Sequence, residues 1–310
     1  SGLRGIEDMP GWFYRPLGAR ALSPHPLVAI GLAFPVLATI ALRAARAAHT
    51  GRTILALALA SLALQVATTA ADEGTLVARL EQGHGELLAI AHRTLADGAV
   101  LETMRDYEAR AESGALGAFA PSKPQGTLLF YVAIEALGET APMRALLAPI
   151  RRALGTSPSL RDRTAGAAMA VVLFPFLTAL VVLPLYFLAR ALGGSREAGV
   201  GAALVWATVP SVALISYHAD GALTPLLSAG GCALAALAGR STSPRRALVW
   251  SASAGAVAGL ALFTNFSMLA LVGLTTLLPL GVLAEERGVR AALRPGALLG
   301  GVALATAAML

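Results

Sequence analysis

Long apolar runs separated by short polar hinges dominate this chain. Eight of them approach the ~20 residues a helix needs to cross hydrocarbon: 26–45, 54–71, 165–189, 198–216, 223–238, 247–263, 268–284 and 297–310. They are rich in alanine and leucine, and sustained β-type alternation is absent. The pattern therefore predicts helices, not a barrel. Pro35, Pro175, Pro184, Pro210 and Pro225 fall inside the runs and predict kinks. A bundle tolerates these because neighbouring helices re-satisfy the freed backbone groups. One interval, 72–164, is different in kind. It is too long for a connector and reads as a folded, membrane-hugging segment. Within it, Leu87, Leu88, Ala91 and Leu95 share one helical stripe, and Gly98 follows as a stop. This predicts an amphipathic helix resting on the bilayer. The expected fold class is all-α: a polytopic transmembrane helical bundle of about eight spans, with a long first core loop containing amphipathic helices. Residues 1–25 form an N-terminal segment, and 26–310 form the membrane domain that carries the 72–164 loop.

Composition agrees with this reading. Hydrophobic residues make up 56% of the chain and charged ones 14%, against roughly 45–50% and 25% in soluble domains. A single soluble core of this size could not hide so much apolar surface. The net charge of +6 is concentrated in short hinges. Arg43, Arg46 and Arg52 occupy one; Arg190 and Arg196 the next; then Arg240, Arg245 and Arg246; then Arg287, Arg290 and Arg294. These four hinges alternate onto one side of the bundle, and their arginine excess assigns that side to the cytoplasm. The charge thus reads as topology, and no nucleic-acid module is visible. Residues 1–25, the 72–164 loop, "YHADGA" and "TNFS" all fall on the other side. The loop's own arginines do not oppose this, because long loops translocate largely regardless of charge. Trp12, Phe13 and Tyr14 suit an interfacial anchor. The chain opens on Ser1 and stops within the apolar run "GALLGGVALATAAML", as a fragment of a longer protein would.

Candidate chemistry gathers on the non-cytoplasmic side. Asp72 and Glu73 stand where the second span leaves the membrane, and Glu86 opens the amphipathic helix. Lys123 is bracketed by Pro121 and Pro124, and His218, Asp220 and Asn265 sit at span ends. Each has a plain reading by itself. A single acid is usually solvated surface charge, a lone lysine snorkels, and Asp220 makes a good helix N-cap. Their convergence at one face argues for a site, since acids at membrane depth mark function by default. His84 and His92 are not accompanied by any zinc-binding motif, and the single Cys232 allows neither an internal disulfide nor a cysteine metal cluster.

Several motifs occur in an order that is similar to a known family. They are "GHGELLAIAHRTLADG", "RDYEA", "SKPQGTLLFY", "YHADGALTPLLSAG" and "GLALFTNFSMLAL". Together they resemble the membrane-embedded GT-C glycosyltransferases, in particular the protein O-mannosyltransferases and lipid A aminoarabinose transferases. The resemblance covers roughly residues 54–284, by motif order more than by identity. Gln125 departs from it, standing where the family has a second proline; the run 26–45 would precede the family core. The resemblance implies transfer of a sugar from a polyprenyl-phosphate donor to a protein, lipid or glycan acceptor. It implies an extracytoplasmic active site, here in the bacterial inner membrane. The donor phosphate would meet Lys123 with Arg93 or Arg105, and Tyr107, His84, His218, Asp220 and Asn265 would complete the binding residues. The catalytic base would be Glu86, Asp72 or Glu73: spacing to Tyr107 and Lys123 favours Glu86, and closeness to the span end favours Asp72. A divalent metal ion is compatible with this chemistry, though no residue pattern demands one. The alternative is a secondary transporter or non-catalytic polytopic protein. Against it, no internal repeat of spans is visible, and most of the polar residues lie in one loop.

Overall fold

The computed structural model describes residues 50–70, 86–157, 164–209, 219–265 and 288–309, with a few isolated positions besides. All regular structure among the described residues is helical. Among the described residues three helical stretches are long and apolar enough to cross a membrane: Thr164–Ala191, Ala219–Arg240 and Pro244–Thr264. They correspond to the expected runs 165–189, 223–238 and 247–263. The runs 54–71 and 297–310 give shorter apolar stretches, Thr50–Val66 and Gly296–Thr306. The run 198–216 gives the 13-residue helix Arg196–Thr208. The segment 1–25 lies outside the described residues, the run 26–45 almost wholly so, and the run 268–284 in about half of its positions.

In chain order the helices are α1 (Thr50–Ala70), α2 (Glu86–Ala96), α3 (Val100–Arg105), α4 (Tyr107–Glu112), α5 (Gln125–Gly138), α6 (Ala141–Leu146) and α7 (Ala148–Leu154). There follow α8 (Thr164–Leu180), α9 (Val182–Ala191), α10 (Arg196–Thr208), α11 (Ala219–Arg240), α12 (Pro244–Thr264) and α13 (Val289–Met309). A 3₁₀ turn, Ala120–Ser122, precedes α5. Helices α8 and α9 form one membrane-length element broken at Val181. The physical reason is Pro184, which lacks the N–H that would bond the Leu180 carbonyl and whose ring crowds it. Beneath the break, buried polar groups tie the bundle. Gln65 of α1 donates to the Pro175 carbonyl at 3.3 Å, and Trp206 Nε1 of α10 donates to the Thr178 carbonyl at 2.9 Å. Such bonds hold membrane helices together where the hydrophobic effect between them is weak.

Close backbone approach needs small residues. A Cβ on Gly259 of α12 would sit 2.7 Å from the Ala303 carbonyl of α13, so only glycine allows that contact. At one end of the bundle the C-termini of α9 and α11 meet. There Ser195 caps α10 by accepting from the Ala198 amide at 3.2 Å, and Arg190 donates to the Gly194 carbonyl at 2.8 Å. The opposite end is covered by α2–α7, the helices of the long loop. Their core is continuous with the bundle: Leu87, Leu88, Leu128, Tyr131 and Ile134 pack with Met169 and Phe174 of α8.

This packing corrects one expectation. The stripe of Leu87, Leu88 and Ala91 does not rest on the bilayer; it is buried, with α2 packed on α5. Helical periodicity reports that one face is apolar and cannot report what covers it.

Candidate functional site

The sequence around residue 123 folds as it does for local reasons. Pro124 forces Lys123 into extended backbone, φ −121° and ψ 142°, and thereby ends the 3₁₀ turn. Pro124 then serves as the N-cap of α5. Tyr107 of α4 is buried beneath this corner. Its hydroxyl lies 3.1 Å from the Lys123 carbonyl and 3.3 Å from the Ala120 carbonyl, donating between them. Burial pushes the Tyr107 pKa up to about 12, so it stays a donor.

The side chain of Lys123 reaches across the fold. Its ammonium meets Asp220 Oδ2 of α11 at 2.5 Å, joining residues 97 apart in the chain. The side chains are only 12% and 24% exposed. Asp220 lies in the first turn of α11, where the helix dipole favours a carboxylate. Its other oxygen accepts from Asn265 Nδ2 at 3.3 Å, and the same nitrogen lies 3.4 Å from Thr224 Oγ1. Asn265 is the C-cap of α12.

Two contacts dock α5 onto the ends of the spans. Thr127 Oγ1 donates to the Thr264 carbonyl at 2.5 Å, satisfying one of the orphan carbonyls at the end of α12. The Ala219 amide, an orphan donor at the start of α11, donates to the Tyr131 hydroxyl at 3.3 Å. Gly126 makes this docking possible: a Cβ there would lie 2.2 Å from the Phe263 carbonyl.

A cavity of about 1050 Å³ opens beside Lys123, and Asp220 is not part of its lining. Lys123, Arg105, Tyr107 and Gln125 line one part, and Leu262 and Phe263 of α12 give it an apolar wall. Three acids, Asp106, Glu108 and Glu112, stand on its α3–α4 side. Arg105 is exposed at the C-terminus of α3.

Of the residues put forward from sequence, the structure brings Lys123, Asp220 and Asn265 into one network and sets Tyr107 and Arg105 at its cavity. Glu86 stands elsewhere: it does not line the cavity, and its Oε2 accepts from the Ala118 amide at 3.2 Å. Its carboxyl lies over Gly117, whose φ of +79° suits glycine. Arg93 is exposed near the end of α2 and is not part of the cavity lining. Asp72, Glu73, His84 and His218 lie outside the described residues.

Sequence reasoning missed the threonines Thr127, Thr224 and Thr264, and a second polar knot. In that knot Glu135, 1% exposed, bonds His92 Nδ1 through Oε1 at 2.8 Å. Its Oε2 faces the first turn of α8 at Gly166 without a well-formed hydrogen bond. Burial raises the Glu135 pKa above the ordinary 4.5, opposed by His92 and the Gly166 amide. An acid inside the apolar stretch "LLFYVAIEALG" was the available signal. Among the described residues no three His, Cys, Asp or Glu side chains converge in a way that could hold a metal ion.

No protein-family model matches the chain, and no curated protein or solved structure is significantly similar to it.

Proposed function

We propose that this chain is an integral-membrane glycosyltransferase of the GT-C kind, with about eight spans and an extracytoplasmic active site. It moves a sugar from a polyprenyl-phosphate donor to a protein, lipid or glycan acceptor. The observation that carries the reading is the Lys123 ammonium, held part-buried against Asp220 on the wall of a large cavity, at the end of the bundle where α11 begins and α12 ends. A fixed cation in a partly dry setting is what a phosphate leaving group requires. The apolar wall of Leu262 and Phe263 suits the first isoprene units of the carrier.

The chemistry is a single inverting displacement. The acceptor oxygen attacks the anomeric carbon as the bond from that carbon to the carrier phosphate oxygen breaks. The released electron pair stays on the phosphate, where Lys123 and Arg105 stabilise it. The acceptor proton passes to a carboxylate. Asp72 and Glu73 are the acids for that role, since Glu86 is engaged by the Ala118 amide and both oxygens of Asp220 are engaged, by Lys123 and Asn265. Asp220 holds the ammonium in place. If a divalent ion takes part, it would add Lewis-acid stabilisation of the phosphate; no step here is routed through one.

The test is transfer from a radiolabelled polyprenyl-phosphate sugar by the purified protein in lipid vesicles. Lys123→Ala and Asp220→Asn should each lower kcat/KM by roughly a hundredfold or more, the scale of one lost charge-stabilising group. Full activity in both variants would overturn the assignment of this network as the active site.

A further inference from the structure

Exposure along α8 marks where lipid begins. Residues 165–170 are buried on every side, enclosed by α2, α5 and α7. From Val172 onward one apolar stripe opens outward: Val172, Phe176, Leu183 and Phe187 are each 44–46% exposed. The stretch 172–191 is about 30 Å long at ~1.5 Å per residue, the thickness of the hydrocarbon core. Helices α11 and α12, with 22 and 21 residues, have nearly the same length. The first eight residues of α8 therefore stand about 12 Å beyond the hydrocarbon, inside a collar built by the loop helices.

Helix α5 climbs this collar. Its start is pinned by Gly126 against Phe263, at the end of α12, and its end by Gly138 against Ala165, near the top of α8. Its outer face is inverted relative to a helix in water. Leu129, Ala133, Ala136 and Leu137, at one helical stripe, are exposed. Its one charged side chain, Glu135, points inward. Directly after it, α6 and α7 expose Leu146 together with Arg144 and Arg152.

We infer that the outer face of α5, with Leu146, is a membrane-docking surface seated in the headgroup–acyl boundary, and that Arg144 and Arg152 meet the phosphates of anionic lipid. The length match sets the start of α5 at the hydrocarbon edge and its end about 10 Å further out, so the face runs outward through the headgroup layer, about 5–8 Å thick on each side. Exposed arginines beside an apolar stripe complement an anionic surface. The Lys123–Asp220 pair then lies at the edge of the hydrocarbon, whatever chemistry it performs.

Depth-dependent quenching tests this. In a Cys232→Ala background, which removes the chain's single cysteine, Leu129→Cys, Leu137→Cys and Ser113→Cys are labelled with bimane. The intact protein is reconstituted in phosphatidylethanolamine–phosphatidylglycerol vesicles. The expected result is graded. Spin-labelled lipid carrying its quencher high on the acyl chain quenches position 129 several-fold more than position 113. A headgroup-borne quencher is strongest at position 137, and aqueous iodide reaches only position 113. Adding Arg144→Gln with Arg152→Gln should reduce quenching at position 137. Iodide quenching of all three positions alike would overturn the inference. So would the absence of quenching by any agent at positions 129 and 137, the signature of a second protein copy on this face.

Discussion

Substituting alanine for Gly126 puts the docking of the loop onto the spans to a direct test. The added Cβ would lie 2.2 Å from the Phe263 carbonyl oxygen and 2.4 Å from its ring. The nearest atom is backbone at the last turn of a packed span, so no side-chain rotation relieves the clash. Helix α5 and the end of α12 must separate. Overpacking of this kind costs about 1–3 kcal/mol. The separation also stretches the Thr127 hydroxyl away from the Thr264 carbonyl, a further loss of about 1 kcal/mol. The expected destabilisation is about 2–4 kcal/mol. Gly201→Ala and Gly230→Ala are internal controls, because a Cβ at either meets nothing within 4 Å. Both sit inside helices, where alanine is favoured over glycine by about 0.5–1 kcal/mol. The same chemical change therefore has opposite signs at different positions. Thermal unfolding in detergent, followed by tryptophan fluorescence, measures all three. If Gly126→Ala melts together with Gly230→Ala, the close approach of α5 to α12 does not exist and the site geometry falls with it.

Other expectations follow from the same contacts. Tyr107→Phe removes the donor beneath the Lys123 corner and should cost about 1 kcal/mol, with transfer activity reduced more than substrate affinity; an unchanged melting point and rate would show that the corner does not need it. Glu135→Gln changes the pH dependence of stability. Because the folded-state pKa of Glu135 is raised, its contribution is fully present below the ordinary value of 4.5 and is lost as pH climbs through the raised value. Thermal melts should show the wild-type protein losing ground to Glu135→Gln over that window, and parallel pH profiles would refute the burial argument. Glu86→Gln should leave kcat/KM within a few-fold of wild type while making the Gly114–Gly117 loop more accessible to protease, since its carboxylate holds the Ala118 amide. A loss of activity comparable to that of Asp220→Asn would instead place Glu86 in the reaction.

Much of the architecture was decided by one-dimensional pattern. The transfer free energy of an apolar run depends on its own composition, so the three membrane-length helices were readable directly from the sequence. The alternation of arginine hinges put Lys123, Asp220 and Asn265 on one side of the bundle, and the structure joins these three. Tertiary structure alone decided the partners. Nothing along the chain indicates that Lys123 pairs with a residue 97 positions away, while Glu86 closes a nearby glycine loop. The stripe on α2 was visible, but its burial against α5 was not. The inward turn of Glu135 likewise required α2 and α8 to be in place. Hydropathy sums over neighbours in sequence, whereas an ion pair or a buried carboxylate depends on which surfaces meet when helices pack. That is settled by small residues such as Gly126 and Gly166, whose importance lies in the atoms opposite them rather than in themselves.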